Sequence, residues 1–264
     1  MTSVPLGDPQ SNPQPDPRRK GRVINDAPML VIRRWLTAAA CDFRAHLGLS
    51  LAYGMGLFLL GWIGISSLWM LNLSWMILPS LAGGLLVGPI ATVGLYRISR
   101  RRQSGPNTGI AAGIAAPGQI LLSGIILMVF ALMWLRSATL VFAVFFGLLP
   151  FAGFTETMGT LLATPQGIAT LIVGSIVGGL FAALGFAVSA FSIPMLIHRE
   201  VDCFSAMALS FNATTHNFRL MLHWALLVSV ATLLGLITGL IGLIVIFPLL
   251  GYATWHAYFD IFEG

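Results

Sequence analysis

Charge is what this chain has least of. Asp, Glu, Lys and Arg make up 9% of its 264 residues, against roughly a quarter in a soluble globular domain. So few charges cannot clothe a water-facing surface. With 57% hydrophobic residues and a mean hydropathy of +0.88, most of the exterior must face lipid. Cysteine is almost missing too: Cys41 and Cys203 each lie in a polar flank. Their spacing is no metal motif, and both flanks fall on the cytoplasmic side in the topology below, so no disulfide is expected. Alternating polar and apolar runs are lacking, which excludes a transmembrane β-barrel. No Gly-rich phosphate loop, Ser/His/Asp set or HExxH spacing occurs, so no enzyme is expected. No Asp or Glu falls inside a predicted span, which counts against a proton-coupled transporter.

What is present is a succession of long apolar runs. Residues 1–28 are rich in Pro, Asn, Gln and Arg and read as a disordered tail with no apolar core of a signal peptide. In Met29 to His46, Ile32, Trp35, Ala39 and Phe43 recur at helical spacing, with Arg33, Arg34 and Asp42 off that stripe. This predicts an amphipathic helix on the cytoplasmic surface. Val201, Phe204, Ala208, Phe211, Thr215 and Phe218 step by three and four and predict a second. Six transmembrane spans are expected at about 47–71, 75–96, 117–147, 166–197, 220–238 and 240–258. The fold class is therefore all-α: one membrane domain, residues 29–264, of six transmembrane helices with two interfacial amphipathic helices. Trp69 and Trp75 flank the first turn as an interfacial belt would.

Arg136 interrupts the third run, which leaves one long helix or two segments open. A helix from Pro117 to Arg136 measures about 29 Å, so the arginine reaches the outer interface without a second crossing. Counting basic residues supports six spans. With the N-terminus inside, Arg18, Arg19, Lys20, Arg22, Arg33, Arg34, Arg44, Arg97, Arg100, Arg101, Arg102, Arg199 and Arg219 are all cytoplasmic, leaving Arg136 outside. Basic residues thus mark orientation, not nucleic-acid binding. A faint parallel repeat is also visible. Asp42-Phe43-Arg44 precedes the first span and Asn217-Phe218-Arg219 the fifth. Pro89 and Pro248 are each followed seven residues later by an aromatic, Tyr96 or Trp255.

Three stretches, LVGPIATVGLYRISRR, FSIPMLIHREVDCFSAMALSF and FPLLGYATWHAYFD, carry a resemblance. From about Trp35 to Phe262 the chain resembles a family of uncharacterised bacterial integral inner-membrane proteins, the domain of unknown function (DUF) 2189. The resemblance implies a bacterial inner membrane, multi-pass, with both termini cytoplasmic by the charge count, and no activity. Some family members carry the label of cytochrome c oxidase subunit I, which the histidines here do not support. His46, His198, His216, His223 and His256 all lie at or near cytoplasmic helix ends. A haem–copper core needs them deep in facing helices. No cofactor or metal is expected, with His223, His256, His46 and His198 as weak candidates for converging on a haem or metal.

Other candidates are less specific. Arg136 has one acidic partner on its side, Glu156, and otherwise snorkels to headgroups. Pro89, Pro194 and Pro248 should kink their helices at one level and either line a cavity or simply pack. Arg97, Arg100, Arg101 and Arg102 form a basic cytoplasmic cluster that suits anionic lipid or orientation alone. The leading expectation is a non-enzymatic inner-membrane protein that acts by binding: an accessory or assembly partner of a membrane complex such as a respiratory complex, or an organiser of membrane lipid. The alternatives are a facilitative small-solute transporter and a haem- or metal-binding redox protein.

Overall fold

A computed structural model describes residues 20–73, 76–77, 80–81, 91–96, 117–147 and 154–264. Among these residues every regular element is helical. In chain order the helices are α1 (Pro28–Ala45), α2 (Leu47–Met70), α3 (Pro117–Phe146), α4 (Phe154–Ala163), α5 (Pro165–Ser189), α6 (Ser192–His198), α7 (Cys203–His216), α8 (Phe218–Ile237) and α9 (Leu243–Phe262). Among the described residues five stretches are long and apolar enough to cross a membrane: α2, α3, α5 continued into α6, α8 and α9. The expected second span lies largely outside the described residues, and so do Trp75, Pro89, Arg97, Arg100, Arg101 and Arg102.

The third run is one helix. α3 is 30 residues long and passes through Arg136 without a break, about 45 Å at 1.5 Å per residue. Between the expected third and fourth spans lies a further helix, α4. A tight corner joins α4 to α5: Gly167 donates its N–H to the Thr164 hydroxyl at 3.0 Å, and Pro165 occupies the first turn, where its missing N–H costs nothing. A Cβ on Gly167 would lie 2.3 Å from the Thr160 carbonyl oxygen, so the corner needs glycine.

The fourth span is broken rather than kinked at Pro194. α5 stops at Ser189 and α6 restarts at Ser192, which leaves Pro194 in a first helical turn. A serine from another helix repairs the break. Ser210 of α7 accepts the Phe191 N–H at 3.1 Å and donates its hydroxyl to the Ala187 carbonyl at 2.8 Å. Such repair by a neighbour is what permits irregular backbone at membrane depth. Pro248 behaves differently, and α9 continues through it without a break. The proline has no N–H to give the carbonyl four residues back, that of Ile244. Gly54 of α2 packs directly there: a Cβ on it would lie 2.0 Å from that carbonyl oxygen.

The two amphipathic helices pack in ways their stripes alone did not show. α1 buries Ile32, Trp35 and Ala39, but against the protein, chiefly α9, and not against lipid. It also buries Asp42, which the pattern had placed off the stripe, because His256 of α9 supplies a partner at 3.0 Å. α7 turns Cys203, Ala206, Met207, Ser210 and Ala213 inward, while Phe204, Phe211 and Phe218 of the expected stripe point outward. The small residues face inward because α5 and α6 approach that side closely.

The expected tail also ends earlier than residue 28. The Ile24 N–H is accepted by the Asn217 side-chain oxygen at 2.8 Å, and the Asn217 amide donates to the Arg22 carbonyl at 3.0 Å. Arg22 also donates its own N–H to the Ile261 carbonyl at 2.9 Å and pairs with Asp260. These backbone groups are paired, so the segment is held as an added strand of chain along the end of α9.

Two helix joints stand near the expected repeat, but not at the residues that suggested it. One residue, His46 (φ −126°, ψ 41°), joins α1 to α2, and one residue, Asn217 (φ −106°, ψ 35°), joins α7 to α8. Asp42-Phe43-Arg44 lies inside α1, so Asn217 corresponds in place to His46 and not to Asp42. The two aromatics that follow the prolines meet: Tyr96 and Trp255 stack with centroids 6.0 Å apart.

Candidate functional site

Up-and-down chain direction puts the start of α2, α3 and α8 at the same end of the bundle as the finish of α5–α6 and α9. The buried core gathers at that end. Trp35, Tyr96, Phe191, Trp224, Tyr252, Trp255, Tyr258 and Phe262 belong to one continuous cluster. Toward the other end, side chains such as Leu60, Met133, Leu180 and Ile237 are exposed, as lipid-facing positions must be.

Polar groups at the packed end are matched to one another. Arg199 is 1% exposed. It donates to Glu263 at 2.5 Å and to the Phe262 carbonyl at 3.2 Å, and its guanidinium sits over the Phe262 ring. The same Glu263 lies 3.3 Å from His198 Nδ1, and the Tyr258 hydroxyl lies 3.0 Å from that nitrogen. Asp260 accepts from Trp35 Nε1 at 2.9 Å, and Ser50 and Tyr252 share a hydrogen bond of 2.9 Å. Buried charges survive only when paired like this. Arg199, counted in the sequence as an orientation charge, is thus a bolt between α6 and the end of α9. Where α7 begins, the Ser205 hydroxyl and backbone N–H hold the Asp202 carboxyl below its usual range. Burial pushes the neighbouring Cys203 thiol up, which makes it an unreactive packing group.

Between the spans, above this packed end, lies a cavity of about 1230 Å³. α2, α3, α5, α8 and α9 all contribute to its walls, through residues such as Leu57, Trp134, Phe181, Leu226 and Phe247. No Asp, Glu, Lys, Arg or His lies among its described lining residues. Hydroxyls are its polar features. Thr92, Tyr96, Ser189 and Thr254 come from the part of the lining next to the packed core, and Ser175, Ser229 and Thr232 from the walls. An apolar lining with a few placed polar groups is the ordinary character of a small-molecule site, although this one exceeds the usual range of about 300–1,000 Å³.

The histidines are not brought together as a ligand set. His256 faces Asp42, His198 faces Tyr258 and Glu263, His46 Nδ1 lies 3.3 Å from the Asp42 carbonyl, and exposed His223 Nδ1 lies 2.6 Å from the carbonyl of Arg219 in its own helix. Among the described residues no group of three His, Cys, Asp or Glu side chains is placed to hold a metal ion. Arg136 and Glu156 are both exposed, and no ion pair joins them. Pro194 and Pro248 are both buried in protein contacts and do not line the cavity. Sequence reasoning missed Asp42, Ser189, Ser210, Asn217, Asp260 and Glu263. The closing string held one usable signal: Tyr252, Trp255, Phe259 and Phe262 repeat at helical spacing up to the chain end, the mark of a span whose end is packed within protein.

These helices define a polytopic helical membrane protein. A family model described as predicted integral membrane protein (DUF2189) matches residues 77–198. That match takes in the cavity walls α3 and α5, and it leaves α1 and the closing α9 outside. No curated protein and no solved structure matches the chain.

Proposed function

We propose that the protein is a non-enzymatic lipid-binding and lipid-organising protein of the bacterial inner membrane, with both termini in the cytoplasm. The observation that carries this reading is the cavity: large, walled by the spans, and without an ionisable group among its described lining residues. Such a space suits a hydrocarbon chain and is a poor path for a hydrated solute, which needs polar groups to replace its water. This weighs against the small-solute transporter. The separate pairing of the histidines weighs against the haem or metal reading. An accessory role beside a larger membrane complex is compatible with a bound lipid and adds a partner to it.

Native mass spectrometry on protein extracted from membranes and exchanged into mild detergent tests the proposal. A defined mass retained at one copy per chain is expected, and a bare chain contradicts it. Orientation is tested with the native thiols, because Cys41 is exposed and Cys203 is buried. A membrane-impermeant maleimide should label Cys41 in inverted vesicles and spare it in spheroplasts. The reverse pattern overturns the assigned topology.

A further inference from the structure

We propose that the cavity selects a neutral amphiphile: one or more apolar chains carrying a single uncharged head with carbonyl or hydroxyl oxygens. The inference rests on the lipid-binding reading and specifies the class of ligand. Serines and threonines in membrane helices commonly donate to a carbonyl one turn back, as Ser137, Thr139, Thr170 and Thr254 do here. Ser189 does not. It is 3% exposed, lines the cavity, and its hydroxyl makes no hydrogen bond to any described residue. A hydroxyl left open at a cavity wall can take a ligand or a water as its partner.

Ser189 is the last residue of α5, at the helix break, so the hydroxyl sits where the cavity meets the packed end. Tyr96, Thr92 and Thr254 enter the lining from neighbouring elements, with the Tyr96 hydroxyl in hydrogen-bonding reach of the two threonines. Hydroxyls both donate and accept, so this set answers a carbonyl as readily as a hydroxyl. It supplies no cation for a phosphate. Among the described lining residues nothing would compensate a buried anionic headgroup, which favours a neutral one. An isoprenoid quinone and a monoacylglycerol both have the required chemistry, and their heads differ enough to be separated by experiment.

Trp134 and Trp224 line the cavity and report on it directly. The experiment titrates purified full-length protein with decylubiquinone, a quencher of tryptophan fluorescence, and then competes with monoolein or with phosphatidylglycerol. Saturable quenching is expected, reversed by monoolein and not by phosphatidylglycerol; stronger binding of one neutral probe identifies the head class. Ser189→Ala is expected to weaken binding of the preferred probe by roughly 2- to 10-fold, the worth of one hydrogen bond. Gly174→Phe fills the cavity from a position where an added Cβ meets nothing within 4 Å, and should abolish quenching with the fold intact by circular dichroism. Equal competition by phosphatidylglycerol, or an unchanged Ser189→Ala affinity beside a lost Gly174→Phe signal, overturns head selection and leaves lipid binding standing. Quenching that is non-saturable and indifferent to Gly174→Phe overturns both.

Discussion

Trp255 and Tyr258 have no exposed surface, whereas Leu60 and Leu180, on spans of the same bundle, each expose 68%. The packed end is held by matched polar pairs and interlocking aromatics, so its geometry is specific. Facing lipid, the spans gain little hydrophobic free energy from meeting one another, and helices there associate through close packing and small residues. A bundle can therefore be rigid at one end and leave room at the other. In this protein the packed end fixes the helix directions, and the cavity is the space those directions leave.

Substitutions should separate the two regions. The largest loss is expected for Glu263→Ala, which removes the carboxylate paired with the buried Arg199 and should cost about 3–5 kcal/mol, read as a fall in thermal unfolding midpoint in detergent. A change near zero would mean that Arg199 reaches water and is no bolt. Gly54→Ala pushes a methyl into the Ile244 carbonyl and should cost about 1–3 kcal/mol by overpacking. Gly64→Ala, on the same helix with open space around it, is the matched control and should be silent. Equal effects at the two glycines would erase the distinction between close-packed and open positions along the spans.

Asp202→Ala removes the cap that accepts the Ser205 N–H at 2.8 Å and should cost on the order of 1 kcal/mol at neutral pH. The folded carboxyl titrates below its ordinary value of 3.8. Its contribution is therefore present above that value and lost as pH falls through the lower folded one. The gap between wild type and variant should close on acidification, and a pH-independent gap would deny the ionised cap. The smallest effect is expected for the lipid-facing Leu180→Ala, within about 0.5 kcal/mol. A loss of several times that would show Leu180 packed against another copy or a partner.

The parts of this account that were legible in the sequence follow from the same contrast. Spans announce themselves because lipid demands about 20 apolar residues in a row, and the bounds of α2, α3 and α8 fell close to expectation. Arg136 left the third run undecided, and continuous helical hydrogen bonding decided it. The packed end was less legible because its contacts are distant in sequence. Asp42 looks like a solvated residue until His256, which is 214 positions away, comes to face it. Ser210 looks like a helix filler until the α5–α6 break needs a donor and an acceptor. Phe204 and Phe211 made the more obvious stripe of α7, yet the smaller residues faced the protein, since close approach selects size over hydrophobicity. Of the site, the kink prolines drew attention, yet Pro194 and Pro248 do not line the cavity, which depends on how several helices diverge and not on any one motif.

The central claim is that the space between the spans is an occupied site. Native mass spectrometry of wild type and Gly174→Phe, extracted side by side from the same membranes, tests it most directly. One neutral apolar molecule is expected on the wild type and none on the variant, at equal unfolding midpoints once ligand is stripped. The same bound mass on both proteins, or none on either, would contradict it.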